Sequence, residues 1–160
     1  MSVKQTSSQV GNENQNTDKY IIATKEEMID KLDFPFGSVN QALSSCFTGK
    51  SYIAVVNEGP PKVSNVIFEP GCRNNWHIHH ADEGGGQLLI CLAGVGWYQE
   101  WGKPAQRLVP GKIVNIPAGV KHWHGAAKNS WFSHLAMGIP GLNCRYEWCE
   151  KVDDEDYLAL

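Results

Sequence analysis

The chain has 160 residues, 42% of them apolar and 19% charged, with a formal net charge of −3. That length suits one domain with a single good core, and so small a charge gives no reason to expect nucleic acid or a membrane surface as partner. No apolar run approaches the ~18 residues that a membrane-spanning helix requires, and "MSVKQTSSQVGNENQNTDKY" has no apolar stretch after a basic start, so no secretory leader is expected.

Residues 1–19 hold almost nothing apolar and are rich in Ser, Gln, Asn and Thr. Burial cannot offset the entropy of ordering such a segment, so a disordered tail is expected there, followed by one domain over 20–160. "ATKEEMIDKL" (Ala23 to Leu32) reads as a short helix, with Thr24 and Glu27 in capping-box spacing, and "FPFG" ends it. From Gly49 the texture changes to short apolar or alternating runs: "SYIAVVN", "KVSNVIFE", "NWHIH", "QLLICLA", "GWYQEW", "QRLV", "KIVNIP", "VKHWHG" and "WFSHLAM". Gly, Pro and Asn separate them, which predicts an all-β sandwich or barrel. "EKVDDEDYLAL" reads as a closing helix capped by Asp153. The five cysteines are odd in number and none are in Cys-x-x-Cys spacing, which predicts free thiols in a reducing, cytoplasmic setting.

The histidines carry the strongest chemical signal. His77 and His79 stand two apart in a strand-like run and so share a face, as do His122 and His124. His134 shares its face with Phe132 and Ala136, while His80 should point away from His79 or enter the loop. A lone strand histidine is usually just a hydrogen-bonded core or surface residue. Two His-x-His pairs in one small β domain instead point to a metal, because imidazole is the commonest neutral ligand and each pair aims at a common point. The residues alone leave open whether the next ligand is Glu83, which carries a charge, or Gln87, which does not.

Gly71, His77 and His79 in "GCRNNWHIH", Gln87 and Gly94 in "QLLICLAG", and Gly111, Pro117, Gly119 and His122 in "GKIVNIPAGVKH" resemble the two cupin motifs. Those motifs read G-x5-H-x-H-x3or4-E-x6-G and G-x5-P-x-G-x2-H. The resemblance covers about residues 62–138. It implies a double-stranded β-helix, a jelly-roll barrel, enclosing one divalent first-row transition metal: manganese, iron, nickel or zinc. Glu83 fits the spacing after His79, but the glycine position then falls on Ile90; Gln87 falls in step with Gly94. The motifs therefore imply His77, His79, Gln87 and His122 as ligands, with "HADEGGG" an enlarged loop that leaves Glu83 exposed.

"FEPGCRNNWHIHHA", "GWYQEWGKP" and "VKHWHGAAKNSWFSHLA" further resemble the small bacterial cupins of the hydroxynitrile lyase-like and carboxymuconolactone-decarboxylase-associated groups. That resemblance implies that His124 and His134 lie in the pocket beside the metal without being ligands, and that the chain forms a homodimer.

Three imidazoles and an amide would leave the charge of a divalent ion uncompensated, favouring a bound anion, alkoxide or enolate. His124 or His134 could then move a proton on a small-molecule substrate. Val66, Phe68 and Phe132 share an inward face and are the candidate pocket wall, with Ser64 supplying a hydroxyl; Trp76 and Trp123 neighbour proposed ligands and should turn away to pack. The expected function is metal-dependent lyase or isomerase chemistry. An iron-dependent dioxygenase and a non-catalytic binding or sensor module are the alternatives.

Overall fold

Alternation along the strands sorts side chains into an inner layer and two outer layers, and this sorting positions everything else. In a computed structural model, which describes residues 18–160, the strands form two large antiparallel sheets and a two-stranded ribbon of Glu83–Gly84 with Gly141–Leu142. The first runs Ser38–Val39, Ser51–Asn57, Val63–Phe68, Phe132–Gly138, Gln87–Gly94, Ile113–Ile116. The second runs Gln106–Leu108, Gly96–Glu100, Lys121–Ala126, Arg73–Asn74, Phe47–Thr48, and His77–His80 joins it between Lys121–Ala126 and Arg145–Trp148. Val66, Phe68, Leu89, Cys91 and Phe132 from the first sheet meet Tyr98, Leu108 and Ala126 from the second in one buried cluster.

The residues between these inward positions face the other way. Ile67, Ala93 and Trp131 pack outside the first sheet with Met28 of the helix Lys25–Lys31, whose capping box joins Thr24 and Glu27 as expected. Trp76 and Trp123 pack outside the second sheet with Val152 and Tyr157, the latter from the closing helix Asp154–Leu158, which Asp153 caps. A fully buried side chain of this size contributes about 1.5–3 kcal/mol, so both helices are held chiefly by these apolar faces.

Every run expected to be a strand coincides with one to within two residues at either end. The sheets also include strands the pattern did not announce: Ser38–Val39, Phe47–Thr48, Arg73–Asn74, Glu83–Gly84, Gly141–Leu142 and Arg145–Trp148. Five of these have two residues, too few to display a period. The sixth has all four residues exposed and so no apolar alternation to read. The expected tail falls largely on residues outside those described; of its end, Asp18 accepts from Tyr20 N at 3.1 Å and pairs with Arg107. All five cysteines are free thiols. No helix among the described residues is long and apolar enough to cross a membrane.

Two glycine positions shape the site. At Gly94 (φ +75°) a Cβ would stand 1.8 Å from the Trp131 carbonyl oxygen, so only glycine lets the chain turn there. At Gly86 (φ +99°) a Cβ would stand 2.2 Å from the Ile116 carbonyl oxygen. The enlarged loop can therefore return close to the second motif and deliver Gln87 into its strand.

Candidate metal centre

His77 and His79 project inward from one strand of the second sheet and His122 from its neighbour, with His122 directly opposite His77 in register. One ring nitrogen from each lies within 4.8 Å of the others. His77 Nδ1 lies 2.8 Å from the Asn75 carbonyl oxygen and His122 Nδ1 lies 2.9 Å from that of Val120. A carbonyl only accepts, so both Nδ1 atoms carry the hydrogen and both Nε2 lone pairs are left for a ligand bond. Gln87, from the facing sheet, brings its Oε1 to 3.2 Å from His122 Nε2. Burial, reinforced by the neighbouring His122 charge, pushes His77 well below its ordinary pKa and His79 down to about 4. Burial likewise lowers His122. Three neutral imidazoles and an amide oxygen thus converge, a donor set that fits a divalent first-row metal. Glu83 is exposed and pairs with Leu142, away from this point.

His124 lies on the same face as His122, deeper in the barrel. Its Nδ1 is 3.0 Å from His134 Nε2, so one hydrogen joins the two rings. Asn74 accepts from the His124 backbone N at 3.0 Å, which orients its amide so that Nδ2 faces the His124 ring, 3.2 Å from Nε2 and 3.3 Å from Nδ1. Burial holds His124 well below its ordinary pKa, and it holds His134 at about 4. His80 points outward and meets Glu147 at 2.6 Å.

A cavity of about 620 Å³ reaches this centre and is lined by His77, His79, Gln87, His124 and Asn74 at its polar end. Of the expected pocket residues, Ser64 and Val66 line it. Phe68 and Phe132 do not: they are fully buried against the His134 ring, at 5.3 and 5.5 Å between centroids. His134, also fully buried, stands behind His124 and not on the cavity wall. Alternation gave the face of these residues correctly but not their depth, since Phe68 opposes Phe132 at the far end of the strand pair while Ser64 opposes Ala136 nearer the cavity.

Of the cavity-wall residues that escaped sequence reasoning, three stand against the histidines. Asn74 carried no pattern of its own. Tyr146 and Trp148 lie opposite His79 and His77 in register and meet their rings at 4.8 Å between centroids in each pair. Their i, i+2 spacing in "RYEW" was the available signal. The aromatic residues Trp97, Tyr98, Trp101, Trp123 and Trp131 do not line the cavity.

The buried histidines predict a pH dependence of stability. Burial holds the folded His134 at about 4 against an ordinary 6.5 for the unfolded chain, so between those values the unfolded chain binds more protons. Stability is therefore full above pH 6.5 and declines as pH falls toward 4; His134 alone removes about 2 kcal/mol by pH 5. Thermal midpoints should fall between pH 7 and pH 5, and less so in His134→Leu. An equal fall in that variant would exclude His134 as a source of the dependence.

A double-sheet β-helix with an inward His-x-His, a facing glutamine and a third histidine defines a class: the chain belongs to the cupin superfamily. It is 38% identical over 115 residues to the (R)-mandelonitrile lyase of Granulicella tundricola, covering 69% of this chain and 85% of that protein. A cupin-like protein from Thermotoga maritima is 36% identical with a TM-score of 0.68, covering 80% of this chain and 96% of the other. A conserved double-stranded β-helix protein from Klebsiella pneumoniae, 18% identical with a TM-score of 0.54 over 77% of this chain and 94% of the other, shares the fold. No family model matches the chain.

Proposed function

We propose that the protein is a metal-dependent enzyme performing lyase-type acid–base chemistry on a small oxygenated molecule, with cyanohydrin cleavage as the reaction to test first. The observation that carries this reading is the convergence of His77, His79, His122 and Gln87 beside a histidine that faces the same cavity. Those four residues would hold a divalent ion, which supplies Lewis acidity that stabilises negative charge on a substrate oxygen. The likeness to a mandelonitrile lyase supports the choice of reaction.

His124 is the proton-transfer group. Its Nδ1 is engaged by His134, and the Asn74 amide orients the ring from 3.2 Å off Nε2; a substrate hydroxyl reaches Nε2 by taking the place of that amide. In cyanohydrin cleavage Nε2 takes the hydroxyl proton, the bond from carbon to the nitrile breaks with its electron pair leaving on cyanide, and an aldehyde remains. Returning the proton to cyanide restores the imidazole. His124 is held neutral by burial, as a base must be.

The test is turnover by metal-loaded protein. Mandelonitrile and aliphatic cyanohydrins are offered, and aldehyde release is followed against chelated protein. Metal-dependent release is expected. Retained metal with no turnover across a panel of cyanohydrins, aldehydes and lactones would replace this reading with a binding module, and oxygen uptake with bound iron would replace it with a dioxygenase.

A further inference from the structure

The outer end of the cavity carries a feature that the metal centre does not explain. Its wall is largely apolar there, with Leu43, Ile53, Pro60, Pro61, Ile139 and Pro140. Among the described residues lining the cavity there is no aspartate, glutamate or arginine, and the single ammonium is Lys62. Lys62 forms no ion pair among the described residues. Glu58, earlier in the same turn, does not line the cavity.

Lys62 is also seated where its charge can act along the cavity. It follows the Pro60–Pro61 pair, whose turn is tied down by Asn57 Nδ2 donating to the Pro61 carbonyl at 2.7 Å. It directly precedes the strand Val63–Phe68, so Lys62, Ser64 and Val66 fall on alternate positions, and all three line the cavity. Val66 opposes His134 in register. The row of backbone positions therefore runs from Lys62 at the exposed rim to Val66 beside the histidines, spanning roughly 13 Å at 3.3 Å per residue.

We propose that Lys62 is a specificity-determining residue that selects substrates with a carboxylate at the end remote from the reacting oxygen. The cavity then takes an elongated molecule: an oxygen function at the histidine end, an apolar or aromatic body beside Val66 and Trp148, and an anionic tail at Lys62. With no carboxylate in the wall, nothing repels that tail, and a neutral donor set at the inner end adds no negative charge. This deepens the enzyme reading and rests on it for the inner end alone.

The experiment is calorimetric titration of the full chain loaded with Mn(II), using para-hydroxymethylphenylacetate and its primary amide. The acid should bind about three- to fivefold more tightly than the amide, the upper range for an exposed ion pair. The preference should vanish in Lys62→Gln, persist in Lys62→Arg and shrink at high salt. An equal preference in Lys62→Gln, or none in the native protein, overturns the proposal. Parallel titrations of chelated protein keep the two readings apart. Affinities that chelation leaves unchanged would count against the metal centre, while the Lys62-dependent ratio would still report on the rim.

Discussion

Alanine in place of His77, His79 or His122 is expected to lower metal affinity ~100-fold or more, since even outer partners of metal ligands typically cost 10–100-fold. The three ring nitrogens lie within 4.8 Å of one another, so losing one leaves two imidazoles and an amide, too few for a closed divalent site. Gln87→Ala should weaken retention less than the histidine variants, because a neutral amide oxygen is a weaker donor. Glu83→Ala should have no effect, because Glu83 is exposed on the short strand paired with Leu142. Elemental analysis of purified variants and metal titration of the chelated proteins give the order directly. The native chain should carry about one ion. A larger loss in Glu83→Ala than in Gln87→Ala would mean that the loop folds inward and contributes a charged ligand.

His124→Ala should lower turnover ~100- to 10,000-fold while leaving metal content close to native, the range expected when a general acid–base group is removed. His134→Ala should act less strongly and through kcat, because His134 touches His124 and not the cavity. Since that variant also empties space in the core, His134→Gln is the informative companion. It keeps an acceptor for the His124 Nδ1 hydrogen and should recover much of the rate, with a shifted pH profile. Metal content measured beside turnover decides the assignment. If His124→Ala loses its metal as fully as His122→Ala, then His124 is a ligand and the proton role passes to another residue.

Much of this was legible in the residues. A side-chain period of two places His77 with His79 and His122 with His124, and turns Trp76 and Trp123 outward, whatever the rest of the barrel does. The spacing from Gln87 to Gly94 distinguishes Gln87 from Glu83 because the tight turn tolerates only glycine at Gly94, where a Cβ would meet the Trp131 carbonyl oxygen. Capping at Thr24 and Asp153 was readable for a similar reason: those hydrogen bonds close within three residues.

What the residues could not give was depth and distant partnership. Period two names a face but not how far along the strand a side chain sits from the open end. Ser64, Val66 and Phe68 therefore looked alike until register against Phe132, His134 and Ala136 separated wall from core. That register also put His134 behind His124. Tyr146 and Trp148 came to His79 and His77 across more than sixty residues of chain through the pairing of Arg145–Trp148 with His77–His80. Pairing of that kind is set by closure of the whole barrel, where one strand's place depends on every other, and no local pattern contains it.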